Sequence, residues 1–436
     1  MTENNTHPIQ NIFTSSNWTN YKREHTVSPQ QESAVQLIMQ CRTGELGHRT
    51  SVCEECGHIT YTPCSCNNRN CPICGSWRRD EWAHARESER IDGVDYYHIT
   101  CTVPHELNPL ILNNQKLLLG LLLSSSSKAV IELAQDPKYL GATPGIVSVL
   151  HTWGSALTYH PHVHMIVTAG GLNKEKKFIQ AKRKDFFLPH KCIADLFRGK
   201  FLHQLRKEYD GDELEFTGTS ERYKEPEKFQ ELMDLLYTKG FNTHIVLCEN
   251  EVEELNSQGK ESPVQHLGRY TGRRSFSEDQ IKEVASTKED LTHKENVINY
   301  LARFSSSAAI TESRIQKGTK DSVVFEYKDY RDNGTVKLME LDAMEFIRRF
   351  LLHILPSRFC KIRYYGFLSN SRRSRNLHLI RTLLKATEYI NKCKGKTTTE
   401  KIKILYHRDV TVCPYCGGRL QIIEEVDHRR RTTIRA

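Results

Sequence analysis

Long apolar runs are missing from this 436-residue sequence; the longest, "LLLGLLL" at 117–123, runs straight into four serines. Crossing a bilayer takes about 20 consecutive, mostly apolar residues, so that stretch falls far short. The start, "MTENNTHPIQ", has neither a basic n-region nor an apolar h-region, and no secretory signal is expected there. No internal repeat of solenoid length appears. A cytoplasmic protein is therefore expected. In a reducing compartment its 14 cysteines point to metal ligands before disulfides.

What is present suits packed domains. Hydrophobic residues make up 38% of the chain, enough for cores, and the length favours two or three units. The 62 basic residues outnumber the 53 acidic ones, giving a formal charge of +9. That sign suits an anionic partner, most commonly nucleic acid, although many soluble enzymes share it.

Along the chain, the first thirty residues are polar and are expected to be ordered only in part. "VDYYHITCTVP" (94–104) reads as a strand and 113–135 as a helix. "GIVSVLHTW" (145–153) and "PHVHMIV" (161–167) read as neighbouring strands, with "AGGL" at 169–172 turning the chain out of the second. "THIVLCE" (243–249) and "SVVFEYKDY" (322–330) read as further strands, and "AMEFIRRFLLHIL" (343–355) as a helix. The charged stretch 271–296 reads as an insertion.

Seven cysteines crowd between 41 and 74. "CEEC" (Cys53, Cys56) and "CPIC" (Cys71, Cys74) have the spacing of a tetrahedral four-cysteine zinc site, because each Cys-x-x-Cys turn aims two thiolates at one ion. Ligands for a second ion would come from Cys41, His48, His58, Cys64 and Cys66, of which Cys41, His48 and Cys66 are preferred. Trp77, Arg78, Arg79 and Arg86 follow as phosphate contacts or, equally well, as a solvated helix face. A late "CPYC" (Cys413, Cys416) looks like half of a zinc ribbon, with Cys393 and His407 as conceivable partners.

"LTYHPHVHMIV" (157–167) sets histidines at 160, 162 and 164. Alternate strand residues share a face, roughly 6.7 Å apart along the strand. Two neighbouring imidazoles can meet on one cation; the outer pair, roughly 13 Å apart, is strained to do so. His162 and His164 are the best pair. His151 is the preferred third ligand if its strand lies alongside, and His160 is the fallback. Zinc hydrolases and cupin-like proteins also use His-x-His, so the motif alone does not fix the chemistry.

The cysteine module, "YYHITCTVPHEL", "VLHTWGSALTYHPHVH", "YLARFSSSAAITESRI", "YKDYRDNG" and "EFIRRFLLHILPSRFCKIRYYGFLSN" together resemble the insertion-sequence ninety-one family of HUH transposases, relatives of Helitrons and common-region elements. The resemblance covers most of the chain. It implies an α+β fold whose HUH nuclease domain is a five-stranded antiparallel sheet flanked by helices, with a small N-terminal zinc module and a mixed C-terminal region. The implied layout is a polar segment at 1–34, a zinc-binding domain at 35–90, the nuclease at 91–318 and a DNA-binding region at 319–436. It also implies rolling-circle transposition on single-stranded DNA in a bacterial cell, with structural Zn2+ and catalytic Mg2+ or Mn2+ on the histidines. Imidazole ligands alone would also suit zinc there.

The family carries two tyrosines four residues apart in a motif like YLxRY, and this chain departs from it. "HLGRY" (266–270) keeps only Tyr270, with His266 in the first position; "YLARF" (300–304) keeps only Tyr300, with Phe304 in the second. The family context follows Tyr300, which is the expected nucleophile, with Tyr270 second. One tyrosine must then be reused, or two protomers combined in a homo-oligomer. Arg303, Arg372, Arg373 and Arg375 are expected DNA contacts. Alternative readings are an inactive zinc-containing DNA-binding descendant, an HUH replication initiator or relaxase, and, more distantly, a metal-dependent phosphohydrolase.

Overall fold

The computed structural model describes residues 7–183, 186–248, 308–329, 332, 334–388 and 390–428. The chain opens with α1 (Pro8–Ile12), α2 (Ser15–Glu24) and α3 (Pro29–Met39), followed by β1 (Gly47–Cys53), β2 (Ile59–Pro63) and α4 (Ser76–Glu87). Next come β3 (Tyr96–Thr102), α5 (Asn108–Asn113), α6 (Gln115–Gln135), β4 (Thr143–Trp153), β5 (Tyr159–Leu172) and β6 (Phe178–Gln180). Two helices, α7 (His190–Asp210) and α8 (Pro226–Thr238), lead to β7 (Asn242–Leu247). The last part holds β8 (Ile315–Gly318), β9 (Ser322–Asp329), β10 (Thr335–Asp342), α9 (Ala343–Leu351), β11 (Ile362–Gly366), α10 (Arg373–Leu384), α11 (Thr398–Tyr406) and β12 (Leu420–Asp427). The stretch 271–296, read as an insertion, lies outside the described residues.

The largest sheet runs β11-β4-β5-β3-β7, with β6 attached to the far end of β5, and every pairing is antiparallel. β5 is the middle strand of the five. Its alternation decides the faces: Val163, Met165 and Val167 are fully buried and join Ile99, Cys101, Ile146 and Leu150 in the core under α6 and α7. The even-numbered residues, including the three histidines, therefore face the other way.

α6 is the one helix among the described residues long and apolar enough to cross a membrane, and it is mostly buried inside the protein. Its serines do not end it. Ser126 Oγ donates back to the Leu122 carbonyl at 2.8 Å and Ser127 Oγ meets Ser148 Oγ at 2.8 Å, so these hydroxyls are satisfied within the core. "AGGL" does not leave the sheet: β5 continues through it to pair β6. Gly171 passes so close to β4 that a Cβ there would lie 2.4 Å from the Thr143 carbonyl oxygen.

A second core joins the N-terminal helices to residues 309–354. The first thirty residues, expected to be ordered only in part, hold α1, α2 and the start of α3 from Pro8 onward, and Ile9, Ile12, Phe13 and Ile38 are buried among Phe325, Phe346 and Phe350. Short helices hide few apolar positions in a polar background, which conceals this packing from composition. α9 is built for its place: the Asp342 carboxylate caps it by accepting the Met344 N–H at 2.8 Å, while Phe346, Ile347, Phe350 and Leu351 form its buried stripe.

Residues 319–436 are spread over three sheets. β9 and β10 pair with each other beside β8, β11 edges the central sheet, and β12 pairs with β1, which also pairs with β2.

Candidate metal centres

The strand alternation that buries Val163 puts His162 and His164 on the opposite face, and cross-strand register supplies the rest. His151 of β4 sits directly across from His162. Ligand nitrogens of His151, His162 and His164 all lie within 4.8 Å of one another, close enough for one ion. His162 Nε2 and His164 Nε2 are 3.0 Å apart. His151 is buried and held flat against Trp153, ring centroids 4.4 Å apart.

Hydrogen bonding sets the tautomers. The His160 carbonyl can only accept, so the 2.7 Å contact to it fixes the proton of His162 on Nδ1 and leaves Nε2 with a free lone pair. His160 thus serves through its backbone, and its ring stays outside the triad. For His164 Nε2 to be a ligand, its proton must sit on Nδ1, and there His98 Nε2 waits to accept it at 2.8 Å. Thr100 Oγ1 lies 3.4 Å from both ring nitrogens of that contact. Burial, reinforced by the neighbouring imidazoles, pushes His162 down to about 4 and His164 well below the ordinary range. Both are neutral at physiological pH, as a metal ligand must be. The donor set fits a divalent ion.

His98 was missed by sequence reasoning, though a signal exists. In "YYHITCTV" the alternation sends Tyr97, Ile99 and Cys101 into the core and leaves His98, Thr100 and Thr102 on the face of β3 that adjoins the triad.

The cysteines sort differently from their spacing. Cys41, Cys66, Cys71 and Cys74 form one wholly buried quartet, whereas Cys53 and Cys56 lie with Cys413 and Cys416. The expected Cys53–Cys56–Cys71–Cys74 site is therefore corrected. The reason is topological: β12 pairs with β1 and brings Cys413 and Cys416 to the turn carrying Cys53 and Cys56, while Cys41, just after α3, supplies the missing ligand of the buried site. Amide donors line that quartet, with Cys66 N–H to Cys41 Sγ and Asn68 N–H to Cys66 Sγ both at 3.4 Å. Hydrogen bonds from the other three thiols, with further help from the Asn67 amide, hold Cys74 far below the ordinary thiol range.

His48 is not a ligand. It is bonded across the strands to Glu424 at 3.1 Å and stacked on Tyr61. Cys64 and Cys393 belong to neither quartet, and His407 occupies a left-handed helix-terminal position with φ 51°.

Among the arginines, Arg372 and Arg375 are exposed. Arg373 is not free for DNA: its guanidinium lies over the Tyr364 ring and 3.5 Å from Glu89. Arg86 bonds the same two residues, and Arg79 is buried against Asp80. Tyr270, Tyr300 and Arg303 lie outside the described residues.

Comparison with known proteins bears on both centres. A family model described as "Putative transposase" matches residues 145–292 and 284–375, together more than half of the chain. A second, "Transposase zinc-binding domain", matches residues 13–103. The chain is 31% identical over 411 residues to "Putative transposase y4qJ" of Sinorhizobium fredii, covering 93% of this chain and 92% of that protein. It is 28% identical over 375 residues to "Transposase for insertion sequence element IS801" of Pseudomonas savastanoi pv. phaseolicola, covering 83% and 76%. No solved structure matches.

Proposed function

Because the chain belongs to the insertion-sequence ninety-one family of transposases, with its zinc-binding domain, we propose that it nicks and rejoins single-stranded DNA through a tyrosine, in rolling-circle transposition. The observation that carries this reading is the convergence of His162 and His164, on the middle strand of an antiparallel sheet, with His151 of the adjoining strand β4. Such a face suits an HUH nuclease, with residues 91–318 as its body, β11 completing the sheet, and 319–436 adding DNA contacts. A divalent ion, magnesium or manganese on this reading, supplies Lewis-acid polarisation of the scissile phosphate when bound.

The chain's own residues do the remainder. His162 and His164 present Nε2 lone pairs, oriented by the His160 carbonyl and by His98. Tyr300 is the nucleophile, with Tyr270 as the second candidate. Its phenolic oxygen loses its proton and attacks phosphorus, the bond to the 3′-oxygen breaks, and that oxygen leaves as a free 3′-OH. A 5′-phosphotyrosyl link remains, which conserves the phosphodiester's energy. Attack on that link by the 3′-OH of another strand rejoins DNA and releases the tyrosine. With one tyrosine in each motif, Tyr300 acts twice, or two protomers supply one each. Action on DNA in the bacterial cytoplasm follows from the same reading.

The test is cleavage of end-labelled single strands carrying the element's own termini, in Mg2+ or Mn2+, against the matching duplex. Metal-dependent nicking of the single strand, abolished in His162→Ala, is expected. Binding without nicking by the unaltered protein would point instead to an inactive DNA-binding descendant, which the broken tyrosine pair favours. Hydrolysis without a protein adduct would point to a phosphohydrolase.

A further inference from the structure

The zinc-binding domain shared with relatives spans residues 13–103, yet two of the clustered thiols lie more than 300 residues beyond it. We propose that Cys53, Cys56, Cys413 and Cys416 bind a second zinc ion that fastens the C-terminal strand of the chain to its N-terminal module.

Geometry carries the assignment. All four sulfurs lie within 4.8 Å of one another. Cys53 and Cys416 approach to 3.4 Å, Cys56 and Cys413 to 3.7 Å. A tetrahedral Zn–S4 centre with bonds of about 2.3 Å has sulfur–sulfur edges of about 3.8 Å.

The two turns are also copies of each other. Gly57 and Gly417 each donate to the carbonyl of the first cysteine of their pair at 3.0 Å, and the amides of Cys53 and Cys413 close each turn on the carbonyls of His58 and Gly418 at 2.9 and 2.7 Å. Both glycines need the left-handed region, φ +70° and +78°, which an L side chain adopts only with strain. The amides of His58 and Gly418 then point at the Cys56 and Cys416 sulfurs, the second at 3.4 Å. The Cys71–Cys74 turn shares only the first of these bonds, Gly75 to the Cys71 carbonyl at 3.1 Å; Gly75 is right-handed and leads straight into α4, and the Cys71 amide turns back to Asn68.

The surroundings call for a metal. β12 pairs with β1 from Gly47 and Asp427 to Cys53 and Leu420, yet β2 and β12 are mostly exposed, with Ile59 at 62% and Ile423 at 58%. A three-stranded sheet with so little apolar burial does not hold by its own core. Four thiolates on zinc provide the cross-link that packing does not. This assignment is independent of the nicking chemistry.

The full-length protein, purified in reductant without added metal, should contain two zinc ions per chain by mass spectrometry. Cys413→Ser/Cys416→Ser should contain one, as should Cys53→Ser/Cys56→Ser. The four-fold variant should also contain one, because all four residues serve the same ion. Trypsin should release the C-terminal segment faster from each. Cys416→His, which keeps a zinc ligand, should restore the second ion and the protease resistance, so a folding defect in the serine variants is distinguishable. Retention of both ions by Cys413→Ser/Cys416→Ser would overturn the assignment. So would one ion in the unaltered protein together with a disulfide among these four cysteines.

Discussion

His98 offers the sharpest test of how the histidine centre is organised, because it touches no reacting atom. Its Nε2 lies 2.8 Å from His164 Nδ1, where it accepts the proton that a metal-bound His164 must carry. Outer-shell partners of this kind are worth about 10–100-fold in metal affinity, or about 1.4–2.8 kcal/mol. His98→Ala should therefore weaken Mn2+ binding by that factor, measured by titration calorimetry on the full-length protein. His98→Gln, whose side-chain oxygen can accept the same proton, should recover much of the loss. His160→Ala is the matched control: it keeps the backbone carbonyl to which His162 Nδ1 donates and removes only a ring that tilts against His162 at 5.1 Å, so the affinity should change by less than about threefold. The reasoning is refuted if His98→Ala binds metal like the unaltered protein, or if His160→Ala loses as much.

Other consequences can be checked more briefly. His353 is fully buried between Thr152 and the Leu157 carbonyl, and burial holds it at about 4 against an ordinary 6.5. Its stabilising effect is complete above pH 6.5 and is lost as pH falls towards 4, because the unfolded chain takes up the proton that the folded one refuses. This difference is worth about 3 kcal/mol; urea melts between pH 7 and 4 should show a shallower pH dependence in His353→Gln. Phe350→Ala removes a ring packed edge-on against Phe13 at 5.3 Å and should cost about 3–5 kcal/mol in urea unfolding, whereas a loss under about 1 kcal/mol would mean that α9 and the N-terminal helices share no continuous core. Arg372→Ala/Arg375→Ala should lower the slope of log affinity for single-stranded DNA against log salt by about 1.4, two contacts at about 0.7 each. An unchanged slope would remove this surface from the DNA path.

Local chemistry was readable in the sequence; long-range partnership was not. His162 and His164 stand out because strand alternation is strictly twofold, and "SVLHTW" is close enough in sequence for a neighbouring strand to bring His151 beside them. His98 was within reach of the same alternation rule. The cysteines illustrate the limit. Each Cys-x-x-Cys announces a ligating turn, but which turns share an ion depends on β12 pairing with β1 across most of the chain, and spacing carries no trace of that. Similarly, Arg373 looks like any basic residue until Tyr364 and Glu89 are found beneath it. The N-terminal helices were hidden because their few apolar residues are buried by β9 and α9, more than 280 residues later.

The most direct measurement is identification of the covalent product. The protein would be incubated with Mn2+ and a single strand carrying the element's end, digested, and its DNA-linked peptide sequenced by mass spectrometry. A 5′-phosphotyrosyl adduct on Tyr300, absent in Tyr300→Phe, in His162→Ala and in the presence of EDTA, is the predicted result. An adduct that persists in His162→Ala, or nicked DNA bearing no protein at all, would contradict a tyrosine acting at the histidine centre.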